Sequence, residues 1–186
     1  MNTFWRDRTY LLRFWRLPLA LGLMVLGLDQ ATKLLVLRHW PLGFQRPVIS
    51  GFFSLVHCRN PGAAWSMFAD YTEALAVLSA VVLVALVIWF DHLAEGFPER
   101  ALALGAVFGG IAGNLIDRVA YHEVVDFLLF YWRTYQWPVF NVADSAISCG
   151  VTVFVLSSFF RRPTDESPTP RPTDTASEPS SSPPSP

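Results

Sequence analysis

The chain has 186 residues, of which 52% are hydrophobic and only 16% charged, with a formal net charge of -1. The length suits one domain, the sparse charge excludes an ordinary soluble protein in favour of an integral membrane one, and the near-neutral balance gives no reason to propose a nucleic-acid partner. Cys58 and Cys149 lie far apart and the four histidines, His39, His57, His92 and His122, are scattered without ligand spacing, so neither a metal nor another cofactor is expected.

In chain order, Arg6, Arg8, Arg13 and Arg16 precede an apolar run over residues 17–28, the layout of a signal peptide. Asp29-Gln30-Ala31-Thr32-Lys33 follows in place of a small-x-small cleavage site, and apolar character resumes over 34–37. An uncleaved first span over about 17–37 is therefore expected. The next loop carries Val48-Ile49-Ser50-Gly51-Phe52-Phe53-Ser54-Leu55-Val56, then the turn signal Asn60-Pro61-Gly62, then Ala63-Ala64-Trp65-Ser66-Met67-Phe68. Its β-branched and aromatic content predicts a hairpin-like β element over 48–68, resting on the membrane surface.

Residues 74–90 form an uninterrupted second span, and 101–116 a third that is uncharged but carries Asn114. Gly105, Gly109 and Gly113 recur every four residues in the third, a pattern that lets a neighbouring helix approach closely. The following loop is dense in aromatic residues, among them Phe127, Phe130, Tyr131, Trp132, Tyr135 and Trp137, which belong at a membrane interface. A fourth span over about 139–160 contains Asn141 and Asp144. From Pro163 onward there are eight prolines in 24 residues, interleaved with Ser, Thr and acidic residues, so 163–186 is predicted to be a disordered tail behind a membrane domain over 1–162. Only the second span is a simple lipid-facing helix; the polar groups of the other three should face the bundle interior.

Eight Arg and Lys residues fall in the amino-terminal segment, the 91–100 loop and the tail, against five in the 38–70 and 117–138 loops. That bias predicts cytoplasmic termini and two outer loops. Asp126, ten residues past the third span, and Asp144, near the start of the fourth, then come to the same outer face. Two carboxylates sharing one site cannot easily both ionise, so one holds a proton while the other activates water, the chemistry of an aspartic protease. The alternative is that each separately caps a helix or pairs with an arginine.

Several neighbouring polar residues carry more than one reading. Asn141, at i−3 from Asp144, either orients a carboxylate or substrate carbonyl or caps the helix. Ser148 lies at i+4 on the same face. Asn114, Asp117 and Arg118 form a polar patch at a helix end, with Arg118 best read as structural, paired with Asp117 or binding lipid phosphate, and a catalytic role as its alternative. Asp29, Thr32 and Lys33 share one face of the first span, either as an internal ion pair with Lys33 snorkelling outward or as a substrate contact.

Taken together, Asp29-Gln30-Ala31-Thr32-Lys33, Asn60-Pro61-Gly62-Ala63-Ala64-Trp65-Ser66, Gly109 through Arg118, Val124-Val125-Asp126-Phe127 and Phe140-Asn141-Val142-Ala143-Asp144 resemble, in order, the sequence blocks of the lipoprotein signal peptidases (signal peptidase II), bacterial membrane aspartyl proteases. The resemblance implies an all-α integral membrane fold of four transmembrane helices, with a small periplasmic β-cradle and an amphipathic periplasmic helix, in the bacterial inner membrane. It implies that Asp126 and Asp144 are catalytic and that Asp29, Lys33, Asn60, Gly62, Asn114, Arg118 and Asn141 are supporting or substrate-contacting. The implied reaction removes the signal peptide of a prolipoprotein already carrying diacylglycerol on its cysteine, cutting just before that cysteine. The implied partners are such prolipoproteins and membrane lipid.

Trp65 stands where the family usually has Phe, and Pro61 sits inside the Asn-x-Gly turn; Cys58 and the tail lie outside the pattern. The apolar 48–68 element and the aromatic loop are expected to close over the peptide. A small proton-coupled carrier, and an assembly protein whose polar residues only join helices, are the competing classes. The first predicts activity tied to a gradient, the second tolerance of the single Asn substitutions.

Overall fold

The structure, a computed structural model, describes residues 8–62 and 71–160. Arg6, the 63–68 part of the expected hairpin with Trp65, and the tail at 163–186 lie outside the described residues. The described chain runs α1 (Arg8–His39), β1 (Gln45–Ile49), β2 (Phe53–Asn60), α2 (Thr72–Ala94), α3 (Pro98–Tyr121), β3 (Val124–Trp132), β4 (Tyr135–Gln136) and α4 (Val142–Phe160). All four helices are long and apolar enough to cross a membrane. Among the described residues the elements are these helices and one sheet, so the amphipathic helix implied by the resemblance is not one of them.

α3 is the hub, packing against α1, α2 and α4. Half of its span is buried inside the protein, against 6% of α2, which matches the expectation that only the second span simply faces lipid. The glycine stripe explains the close packing. A Cβ on Gly105 or Gly109 would run into the backbone carbonyl of Pro18 or Gly22 on α1. Lipid tails are as apolar as the helices they solvate, so such backbone approach supplies association that hydrophobicity cannot. Gly109→Ala is expected to force α1 and α3 apart and destabilise the protein by about 1–3 kcal/mol. Thermal unfolding in detergent measures this, and a change under about 0.5 kcal/mol, the range of an uninvolved surface site, would show that the approach is not needed.

The sheet has the order β1-β2-β3-β4 with every pair antiparallel. It corrects the hairpin expected from sequence. The turn lies at Ser50-Gly51-Phe52, where Gly51 has φ +79° and the Phe52 N–H donates to the Ile49 carbonyl at 3.0 Å. A positive φ is cheap only for glycine, so the stretch 48–56 folds back on itself rather than forming one strand. Asn60-Pro61-Gly62 instead ends β2.

The two loops expected to close over the peptide are joined along their strands. The aromatic loop is largely strand β3, paired directly with β2 in registers such as Cys58↔Asp126 and Asn60↔Val124. The two elements are neighbours in one sheet. Val125 and Phe127 pack that sheet onto Val36 of α1, and the Phe140 N–H and carbonyl bridge to Leu128, drawing the start of α4 alongside.

Candidate active site

Asp126 is the third residue of β3 and Asp144 the third of α4, and both line one cavity of about 710 Å³. The walls come from α2 (Ser79), α3 (Asn114, Arg118), β2 (Asn60) and α4 (Ser145, Ser148), with Trp137 and Phe140 over one side. Asp126 is only 2% exposed.

Three asparagines aim at the pair, and in each one a fixed donor decides which way the amide faces. The Asn141 Oδ1 accepts the Asp144 backbone N–H at 3.0 Å, while the Asn141 backbone N–H donates to Asp144 Oδ2 at 3.1 Å. This reciprocal arrangement is a capping box in which Asp144 takes the place usual for Glu. With its oxygen so committed, Asn141 Nδ2 donates to Asp126 Oδ1 at 2.7 Å. Both sequence readings of Asn141 thus hold at once, for different atoms.

Asn114 follows the same rule. Its Oδ1 accepts from Lys33 Nζ at 2.9 Å and from Asn141 Nδ2 at 3.1 Å, so its Nδ2 donates to Asp144 Oδ1 at 2.7 Å. Asn60 Oδ1 is held by the Gly62 N–H at 3.0 Å, and its Nδ2 donates to Asp126 Oδ2 at 3.0 Å. Each of the four carboxylate oxygens therefore receives an N–H.

Burial pushes the Asp126 carboxyl up to about 7, helped by the charge of Asp144 and opposed by the hydrogen bonds from Asn60 and Asn141 and by Lys33. Asp126 can therefore hold a proton in this cavity near neutral pH. Asp144 sits in the first turn of α4, where the helix dipole favours negative charge.

Behind the pair lies a buried ion cluster. Lys33 Nζ is 2.8 Å from Asp29 Oδ2 and 2.9 Å from Asp117 Oδ2. Gln30 Nε2 reaches Asp117 Oδ1 at 3.0 Å and the Gly113 carbonyl at 3.1 Å. The expected Asp29–Lys33 ion pair is present, but Lys33 is 2% exposed and does not snorkel outward. All three of its N–H groups have buried acceptors, which replace what water would give. Thr32 stays apart, donating to the Leu28 and Asp29 carbonyls of its own helix.

Arg118 does not take Asp117, whose partner is Lys33. It reaches across to the Gly62 carbonyl at 2.9 Å and holds the end of β2 against α3. Gln30 was missed as a site residue, although it stands inside the Asp29–Lys33 block. Asp117 was misassigned, although its i+3 spacing from Asn114 placed it on the inward face. Cys58, without an expected role, is the register partner of Asp126, and burial followed by the Asp126 charge pushes its thiol up.

A family profile described as signal peptidase (SPase) II matches residues 21–160. The lipoprotein signal peptidase of Geobacter sulfurreducens is 46% identical over 140 residues, covering 74% of this chain and 88% of that protein. That of Desulforapulum autotrophicum is 44% identical over 147 residues, covering 76% and 91%. Two solved structures described as bacterial membrane enzymes superpose with TM-scores of 0.72 and 0.70 at 31% and 30% identity, the first covering 76% of this chain and 87% of its own, the second 78% and 94%.

Proposed function

The chain belongs to the signal peptidase II family, and from that premise we propose that Asp126 and Asp144 are its catalytic pair. It is a multi-pass membrane protease that removes signal peptides from prolipoproteins. The observation that carries the assignment is the set of three asparagines whose amide nitrogens are forced toward these two carboxylates.

In the reaction we propose, Asp126 carries the proton and Asp144 the charge. Water adds its oxygen to the scissile carbonyl carbon and gives a proton to Asp144, while Asp126 passes its own proton to the carbonyl oxygen. As the tetrahedral species collapses, the C–N bond breaks, the amine leaves with the proton from Asp144, and the hydroxyl proton returns to Asp126. Both carboxyls end as they began.

The substrate is read as a prolipoprotein with a diacylglyceryl cysteine, cut before that cysteine. The cavity supports this because its walls include membrane-spanning α2, α3 and α4, so a lipid-anchored peptide can reach the pair without leaving the bilayer. The arginine bias supports cytoplasmic termini with the sheet outside; family membership supports the bacterial inner membrane, and the Pro-rich composition supports a peptidase domain over 1–162 with a separate tail over 163–186.

Purified protein in detergent, given a diacylated prolipoprotein, is expected to release the signal peptide; intact substrate would overturn the proposal. Because Asp126 must hold its proton, and its carboxyl is raised to about 7, cleavage is expected below that pH and to fall as pH rises through it. Two interacting carboxyls titrate as a pair, so the limb belongs to both. Asn60→Ala removes an N–H that favours the ionised form and should move the limb upward. A limb that stays put or moves down counts against Asp126 as the proton carrier.

A further inference from the structure

Asp29 and Asp117 are as buried as Asp126, at 0% and 1% exposure, yet the proposed reaction moves no proton through either. Their hydrogen bonds follow one pattern. Asp117 Oδ2 accepts the backbone N–H of Val125 at 3.1 Å, the residue immediately before Asp126. Asp29 Oδ1 accepts the backbone N–H of Ala143 at 2.9 Å, the residue immediately before Asp144. Lys33 binds both carboxylates and spends its third N–H on Asn114. Gln30 bridges the same two carboxylates a second time, at 3.2 and 3.0 Å.

We propose that Asp29, Lys33 and Asp117 form a single positioning element for the reaction, one arm setting β3 at Asp126 and the other setting α4 at Asp144. The inference rests on the reading of Asp126 and Asp144 as the catalytic pair. The two reacting side chains come from elements of different kind, a strand and a helix, which have no common repeat to hold them in register. The cluster supplies that register from α1 and α3, whose glycines lock them backbone to backbone. The Ala143 N–H is one of the first four in α4 that the helix itself cannot satisfy, so Asp29 both completes the helix start and fixes its height. A Cβ on Gly113 would strike the Asp29 carboxylate, so the space for this arm is kept open by a residue without a side chain.

A cluster that merely joins α1 to α3 needs the charges of Asp29 and Asp117. A positioning element needs an oxygen facing each backbone N–H. Asparagine keeps such an oxygen and loses the charge; alanine loses both. We therefore expect Asp117→Asn, whose nitrogen faces only Gln30 and is accommodated when the Gln30 amide turns its oxygen inward, to keep kcat within about 10-fold, and Asp117→Ala and Asp29→Ala to lower it about 100-fold with KM changed less than about 3-fold, since misplacement by about 1 Å costs this much. Ser157→Ala, which removes the hydrogen bonds to Arg100 and Glu99 at the opposite end of the bundle, is the control for stability alone.

If the alanine variants do not fold, a hydroxy-acid analogue at position 143, which replaces the N–H by an ester oxygen and leaves every side chain in place, should still lower kcat about tenfold, a small misplacement. Equal kcat in the Asn and Ala variants, a kcat loss no larger than that of Ser157→Ala at matched stability, or an unaffected ester analogue would overturn the inference. Full-rate cleavage by Asp126→Asn would overturn the catalytic reading itself and this inference with it. Loss of the Asn/Ala difference while Asp126→Asn is inactive overturns the inference alone.

Discussion

Asp126→Asn and Asp144→Asn are each expected to reduce signal-peptide removal by about 10³-fold or more, the scale of losing a positioned general acid or base. The amide is nearly isosteric with the carboxyl, so the cavity keeps its shape, but it can neither take a proton from water nor return one. Local donors make the change worse. Every carboxylate oxygen of the pair already faces an N–H, so the new amide nitrogen must point at another donor whichever way it turns. Quantifying cleaved diacylated substrate in single turnovers, alongside unfolding temperature, separates chemistry from folding. Full cleavage by either variant would end the assignment of a pair.

Lys33→Met is expected to destabilise the protein by about 3–5 kcal/mol, the usual cost of breaking a buried ion pair by deleting one partner. The loss comes less from the missing attraction than from what remains. Asp29 and Asp117, both essentially without solvent, would be left with no cation between them, and burying either as an ion or forcing it to take up a proton costs free energy. Neutralising the survivors tests that account. The triple variant Lys33→Met, Asp29→Asn, Asp117→Asn should recover a large part of the stability, because an uncharged buried patch is cheaper than an unpaired one. Activity should recover less than stability, since Asn114 keeps only the Asn141 N–H on its oxygen and loses the ammonium that reinforces its orientation toward Asp144. A single Lys33→Met protein as stable as the parent would show that the cluster is hydrated or already neutral.

Much of this was legible from residue order because a bilayer imposes simple demands. A span needs a fixed length of apolar residues, and a charge inside it needs a partner; both are visible in a string. So the four spans, the inward polar faces, the glycine stripe and the likeness of Asp126 and Asp144 to a pair could be read off. What failed were statements about direction. Asp117 and Arg118 are adjacent in sequence, but consecutive side chains on a helix point about 100° apart, and so one meets Lys33 while the other crosses to Gly62.

Lys33 was expected to reach outward because its three acceptors come from two helices brought together only by folding. The hairpin was misread because Asn60-Pro61-Gly62 is the stronger turn signal on paper. Its geometry serves a different end here. The Gly62 N–H occupies the Asn60 oxygen and thereby turns the Asn60 nitrogen toward Asp126.

Asn141 ends one loop, starts α4 and holds Asp126, all with a single side chain. A membrane protein is made from its amino terminus, so β3 and its carboxyl exist before the residues that begin α4. Until that helix is wound and seated, Asp126 lacks one of its donors and has no partner carboxyl at all. With Asp126 and Asp144 as the proposed pair, a ribosome-bound chain halted before residue 141 would be chemically silent, and a frayed α4 in the finished protein would be silent for the same reason. On that assignment, the ability to cut peptides in the bilayer, where the enzyme's own unfinished spans also lie, arrives only once α4 is seated.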